Sequence, residues 1–208
     1  MRHRRLCRIA LSVLSLLVAS AFANPLRAAP AEAPVEALWR LQEFEFQFRA
    51  ARGHYHSCSA LHSKITGILE AVGAGSVIVE FGCNPRDLTD RAFARVATAT
   101  PQAATVENIR AATTFDSRRQ LLARLNQIEL PTETNLQRFP AEWRTVSVTK
   151  IRGLHLGPGD CDLLNDLNEQ IFPHLSIRVV RERLSCGSSI ISPTQPLLIV
   201  EALVRRTA

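Results

Sequence analysis

From Glu43 to Arg49 apolar and polar residues alternate, with Phe44, Phe46 and Phe48 on one side and Glu45, Gln47 and Arg49 on the other. A period of two predicts a half-buried strand. The period then changes. Leu61, Ile65, Ile68, Leu69 and Val72 recur at three and four residues, which predicts a helix over 58–72 with Ser57 as its N-cap and Gly73 as its stop. Ser76 to Phe81 predicts a second strand, and Arg91 to Thr98 a third, weakened by its alanines.

A connector follows. It holds a short helix over 103–112, then a helix capped by Asp116 whose apolar face is Leu121, Leu122, Leu125 and Ile128, ending before Pro131. The polar stretch 131–140 predicts a loop. Beyond it Val146 and Val148 alternate with polar neighbours, which places a strand over 144–151. Asp160 stands where an N-cap is wanted, and Leu163, Leu164, Leu167 and Ile171 form the next helical face, with Pro173 at its end. Strands over 177–184 and 197–204 complete the chain, so the order strand, helix, strand, strand occurs twice.

The cysteines follow the same rhythm. Cys58 and Cys83 are 25 residues apart, and so are Cys161 and Cys186. In that register Leu61 falls on Leu164, Ile68 on Ile171 and Val77 on Val180, the mark of an internal repeat. The predicted fold class is α+β: duplicated βαββ units, ferredoxin-like in flavour, with the sheet packed against helices. A helix of about 15 residues rises roughly 22 Å, and a returning strand of six or seven residues covers about the same distance. Each cysteine pair therefore finishes on one edge of the layer, within the roughly 7 Å between Cα atoms that a disulfide needs. Two intra-repeat disulfides are expected, Cys58 with Cys83 and Cys161 with Cys186. Each closes a loop worth on the order of 3 kcal/mol.

The N-terminus changes the compartment. Arg2, Arg4, Arg5 and Arg8 precede an apolar run from Ile9 to Ala23, and Ala21-Phe22-Ala23 has the small-x-small form of a cleavage site. Residues 1–23 are expected to be a signal peptide that leaves no stable membrane anchor, and the Ala/Pro-rich 24–36 a tether. The first unit then spans 37–100, the helical connector and loop 101–140, and the second unit 141–208. An exported chain, periplasmic or secreted, uses an even number of cysteines for disulfides rather than redox work. Charge adds little, because four of the residues behind the formal +6 lie in the leader. No clustered basic face is left for nucleic acid, so none is expected as a partner.

Candidate chemistry is sparse. His54, His56 and His62 flank Cys58, and such a group suits copper or zinc when the thiol is free. With Cys58 committed to a disulfide, no tight metal site is expected, and a periplasmic copper or zinc binding protein using His54 and His56 is the alternative reading. Gly157-Pro158-Gly159-Asp160 reads as a turn before a helix rather than an anion loop. No nucleophile elbow, zinc-protease helix, phosphate loop or Cys-x-x-Cys is present. A hydrolase using Ser188 or Ser189 with His155 or His174 is the third reading. The expected function is a non-catalytic binding or envelope-interaction module without a cofactor. It would meet an envelope or extracellular protein through the loops 53–57 and 153–160, where the backbone is freest.

Overall fold

The computed structural model describes residues 33–51, 53–186 and 195–207. The expected leader, most of the expected tether, and Ser188 and Ser189 lie outside them. Among the described residues are eight strands and four α-helices: β1 (Val35–Arg49), β2 (His56–Ser57), α1 (Cys58–Ala71), β3 (Ser76–Phe81), β4 (Leu88–Thr89), β5 (Arg91–Ala103), α2 (Val106–Thr113), α3 (Ser117–Leu125), β6 (Arg138–Ser147), α4 (Cys161–Gln170), β7 (Ile177–Arg183) and β8 (Leu197–Arg205). Six strands form one antiparallel sheet in the order β3-β5-β1-β6-β8-β7, and β2 pairs with β4 in a separate ribbon. This is a mixed α+β fold whose antiparallel sheet is packed with helices and carries two disulfides. They join Cys58 to Cys83 and Cys161 to Cys186, with Cα separations of 6.4 and 5.3 Å.

One face of the sheet holds the main core. Phe46 and Phe48 of β1, Ala94 and Val96 of β5, and Leu198, Val200 and Ala202 of β8 meet Leu61, Ile65 and Ile68 of α1 and Leu163, Leu164 and Leu167 of α4. The spacing of three and four on each helix and of two on each strand puts these side chains in one layer. Ser57 caps α1 by accepting from the Ala60 amide. Gly73 ends it at φ +97°, and a Cβ there would sit 2.9 Å from the Leu203 carbonyl oxygen. The site therefore needs glycine for both conformation and space.

Several strands are longer than their patterns suggest. β1 begins at Val35 rather than Glu43, because Ala37 and Leu38 are both fully buried and a strand covered on both faces loses its alternation. β5 continues through Pro101. Ala99 accepts from the Gly75 amide on the β3 side. In an antiparallel strand alternate residues face the same neighbour, so the missing N–H of Pro101 points to where β3 has already ended. β6 covers 138–147, not 144–151, and a single 3-10 turn replaces its expected end.

Two registers coincide. Every pair between β6 and β8 is a pair between β1 and β5 moved on by 103 residues, the separation of Cys58 from Cys161: Phe44 with Val96 becomes Ser147 with Ile199, and Leu38 with Gln102 becomes Ala141 with Arg205. Leu61 and Leu164, and likewise Ile68 and Ile171, are all fully buried. Val77 and Val180 diverge. Val77 packs against the core, whereas a break in the β7–β8 register between Val179 and Arg181 turns Val180 outward, leaving it 56% exposed. Ile68→Ala and Ile171→Ala are each expected to lower unfolding free energy by about 2–5 kcal/mol, and Val180→Ala by under about 0.5 kcal/mol. Urea denaturation of the three variants checks this.

Candidate functional site

The loops 53–57 and 153–160 come together at the entrances of α1 and α4. Three acidic or amide side chains on one stripe of α4 build the floor of this junction. Asp162, Asp166 and Gln170 recur every four residues and so lie along one face of the helix. β1 pairs with β6 only from Val35 to Leu38, and beyond that seam its outer edge is open. α4 lies against it. Asp162 accepts from the Ala51 amide at 2.7 Å, Asp166 from the Arg49 amide at 3.1 Å, and Gln170 accepts from the Gln47 amide at 2.9 Å while donating to the Gln47 carbonyl at 2.8 Å. Alternate amides of a strand edge are thus matched by every fourth side chain of a helix.

Above this floor the two loops are locked together. Asp160, which is 4% exposed, accepts from the Gly157 amide and forms an ion pair with Lys64 of α1. It is not the side-chain cap of α4 that its position suggests, because its carboxylate is engaged by its own turn and by Lys64. His56 reaches Gly159 O through Nε2 at 3.1 Å, and its Nδ1 stands 3.7 Å from Asp160. The Phe48 ring meets the His56 ring edge to face at 5.3 Å. His54 Nδ1 is 3.9 Å from Asp162, too far for a hydrogen bond.

Burial shapes the titration of this junction. It holds His56 below its ordinary value, opposed by Asp160 and reinforced by Lys64. It also pushes Asp166 up to about 6, with Asp162 and Glu169 adding to the effect and the bond from Arg49 opposing it. Among the described residues, no three His, Cys, Asp or Glu side chains gather as a bound metal would need. His54 and His56 turn toward different aspartates, and His62 lies exposed on α1. His155 is exposed ahead of α4, whereas His174 lies beyond its far end with its ring against Phe44. Those two histidines do not converge.

The residues that sequence reasoning passed over are Lys64, Asp162, Asp166 and Gln170. The spacing of the last three was visible as a polar stripe on a helix. Its partner was not, because main-chain amides leave no trace in a side-chain pattern. At the rim, β2 and β4 form a two-stranded ribbon that pairs Ser57 with Leu88. Leu88 on this ribbon and Tyr55, just before it, are 71% and 62% exposed. No helix among the described residues is long and apolar enough to cross a membrane. No family model, curated protein or solved structure matches the chain.

Asp166 binds its proton more tightly in the fold than the ordinary value of 3.8 allows. Its contribution to stability is therefore full below about pH 4 and is lost as pH rises through about 6. Asp166→Asn keeps an acceptor for Arg49 and removes the charge. The melting temperature of this variant relative to wild type is expected to rise between pH 4 and pH 7. A pH-independent difference contradicts the assignment.

Proposed function

We propose that the chain is an exported, non-catalytic binding module on a duplicated βαββ scaffold, ferredoxin-like in the strand order of each half. The coinciding registers and equal cysteine spacings support the duplication. Paired cysteines favour an oxidising compartment, periplasmic or extracellular, in keeping with the leader pattern.

One observation carries the binding reading. The aspartates and Lys64 where the two loops meet are engaged with main-chain amides or with one another, while Leu88 on the ribbon and Tyr55 just before it stand exposed beside the Cys58–Cys83 bridge. A catalytic site needs an acid, base or nucleophile free to meet substrate. A protein interface needs exposed aromatic and aliphatic anchors held rigidly. The rim offers the second arrangement, and its partner is an envelope or extracellular protein.

Cross-linking from residue 55 in the native envelope identifies the partner. Tyr55→Ser combined with Leu88→Ser is expected to weaken its binding to the purified protein at least about tenfold, or roughly 1.4 kcal/mol, while His155→Ala leaves binding unchanged. A single polar-to-alanine change in the junction that abolished a measurable turnover in folded protein would replace this reading with the hydrolase.

A further inference from the structure

On the sheet face opposite the main core, α2, α3 and the segment after α3 arch over β1 and enclose a cavity of about 340 Å³. Trp39 and Leu41 of β1 form its floor, Phe115 and Leu122 one wall, and Ile128 and Leu130 the other. The walls are fixed by their own hydrogen bonds. Asp116 caps α3 by accepting from the Arg119 amide at 2.7 Å. At its other end Gln127 adopts φ +55°, with the Gln127 amide donating to Arg124 O and the Ile128 amide to Ala123 O. That double bond around a left-handed residue is a Schellman turn, and it folds Ile128 back toward the cavity.

The polar side chains on the lining already have partners. Arg119 is paired with Glu43 at 3.3 Å, and the Asn126 side-chain amide donates to Leu122 O at 2.9 Å. Arg40 precedes Leu41 on β1, so strand alternation points its side chain to the other face of the sheet. Apart from Arg40, Arg119 and Asn126, the lining residues are apolar. Leu41, Leu122 and Ile128 nevertheless remain 56%, 46% and 62% exposed at the mouth. The apolar face that periodicity predicts for α3 thus lines an opening instead of closing a core.

From these contacts we infer that the cavity is a binding site for a neutral hydrocarbon group, the aliphatic chain or ring of a small molecule. Its volume lies at the lower end of small-ligand sites, which begin near about 300 Å³. A lining that is mostly apolar discriminates by shape and apolarity and gives little preference to a charged headgroup. The inference deepens the binding-module reading but stands on the opposite face from Tyr55 and Leu88, so either can fail alone.

Trp39 supplies the probe, since the chain has two tryptophans and the second, Trp143, lies on β6 beneath Arg178. In a Trp143→Phe background, N-phenyl-1-naphthylamine is expected to change Trp39 fluorescence saturably at one site per chain. Dodecanol and dodecanoate, both below their aggregation thresholds, are expected to displace it within about threefold of each other. Leu122→Arg at the mouth weakens the probe at least about tenfold without altering the circular dichroism. Ala112→Leu, which narrows the cavity without adding charge, weakens it too. Non-saturable binding, equal affinity in both variants, or a preference for dodecanoate above tenfold overturns the proposal, the last result assigning the site to Arg119 and an anion. Loss of probe binding with capture through Tyr55 intact leaves the binding-module reading standing.

Discussion

The main-chain amides on the free edge of β1 set the constraint around which the halves assemble. An N–H without an acceptor costs about as much as a lost hydrogen bond where water cannot reach it, and β1 leaves β6 after only four paired residues, its edge half-buried at Ala51 and more exposed at Arg49 and Gln47. The three-stranded groups on either side share only that short seam. Asp162, Asp166 and Gln170 supply the missing acceptors, and in doing so draw α4 onto a strand of the other half. The ion pair between Lys64 and Asp160 joins the two helix entrances above it. With Asp160 buried and Lys64 only partly exposed, removing either partner would leave a charge unpaired, so the junction is locked as well as sealed. Each disulfide holds one helix entrance beside the end of its own returning strand.

The halves are alike in register but not in this contact. Moved back by 103 residues, the α4 stripe falls on Ser59, Ser63 and Gly67 of α1, none of which carries a side chain long enough to cap a strand edge. At Gly67 the space is taken by Leu154, whose Cδ atoms lie 2.9 Å from where a Cβ would stand. One helix of the pair therefore meets its neighbouring segment by hydrogen bonding and the other by apolar packing. Burial on the polar side, with Asp162 and Glu169 adding to it, accounts for the raised affinity of Asp166 for its proton.

Much of the fold was legible in the residues. The faces of α1 and α4, the position of β3, and both cysteine pairings follow from periodicity and length, because those elements bury one side only; β7 follows from its run of β-branched residues, although it is exposed beyond Ile177. The start of β1 was not legible, since Ala37 and Leu38 are both buried and leave no alternation. Nor was the outward turn of Val180, which a register break imposes. Of the candidate site, the two loops were legible as glycine-bearing segments before capped helices. Their meeting was not, because it depends on the seam between β1 and β6, a pairing of distant segments that no local pattern encodes. The exposed face of α3 shows the opposite failure, a helical pattern read correctly whose burial the tertiary structure does not complete.

The central claim is that α4 seals the edge of β1 through its polar stripe. Amide hydrogen exchange, read residue by residue, tests it most directly. The amides of Gln47, Arg49 and Ala51 are predicted to exchange far more slowly than those of Glu43 and Glu45, which face the same edge without a bond from α4. In Gln170→Ala the Gln47 amide is predicted to lose about fivefold of its protection, as one hydrogen bond of about 1 kcal/mol requires, while Ala51 keeps its own. Equal exchange at all five amides, or protection at Gln47 that survives the substitution, would contradict the account.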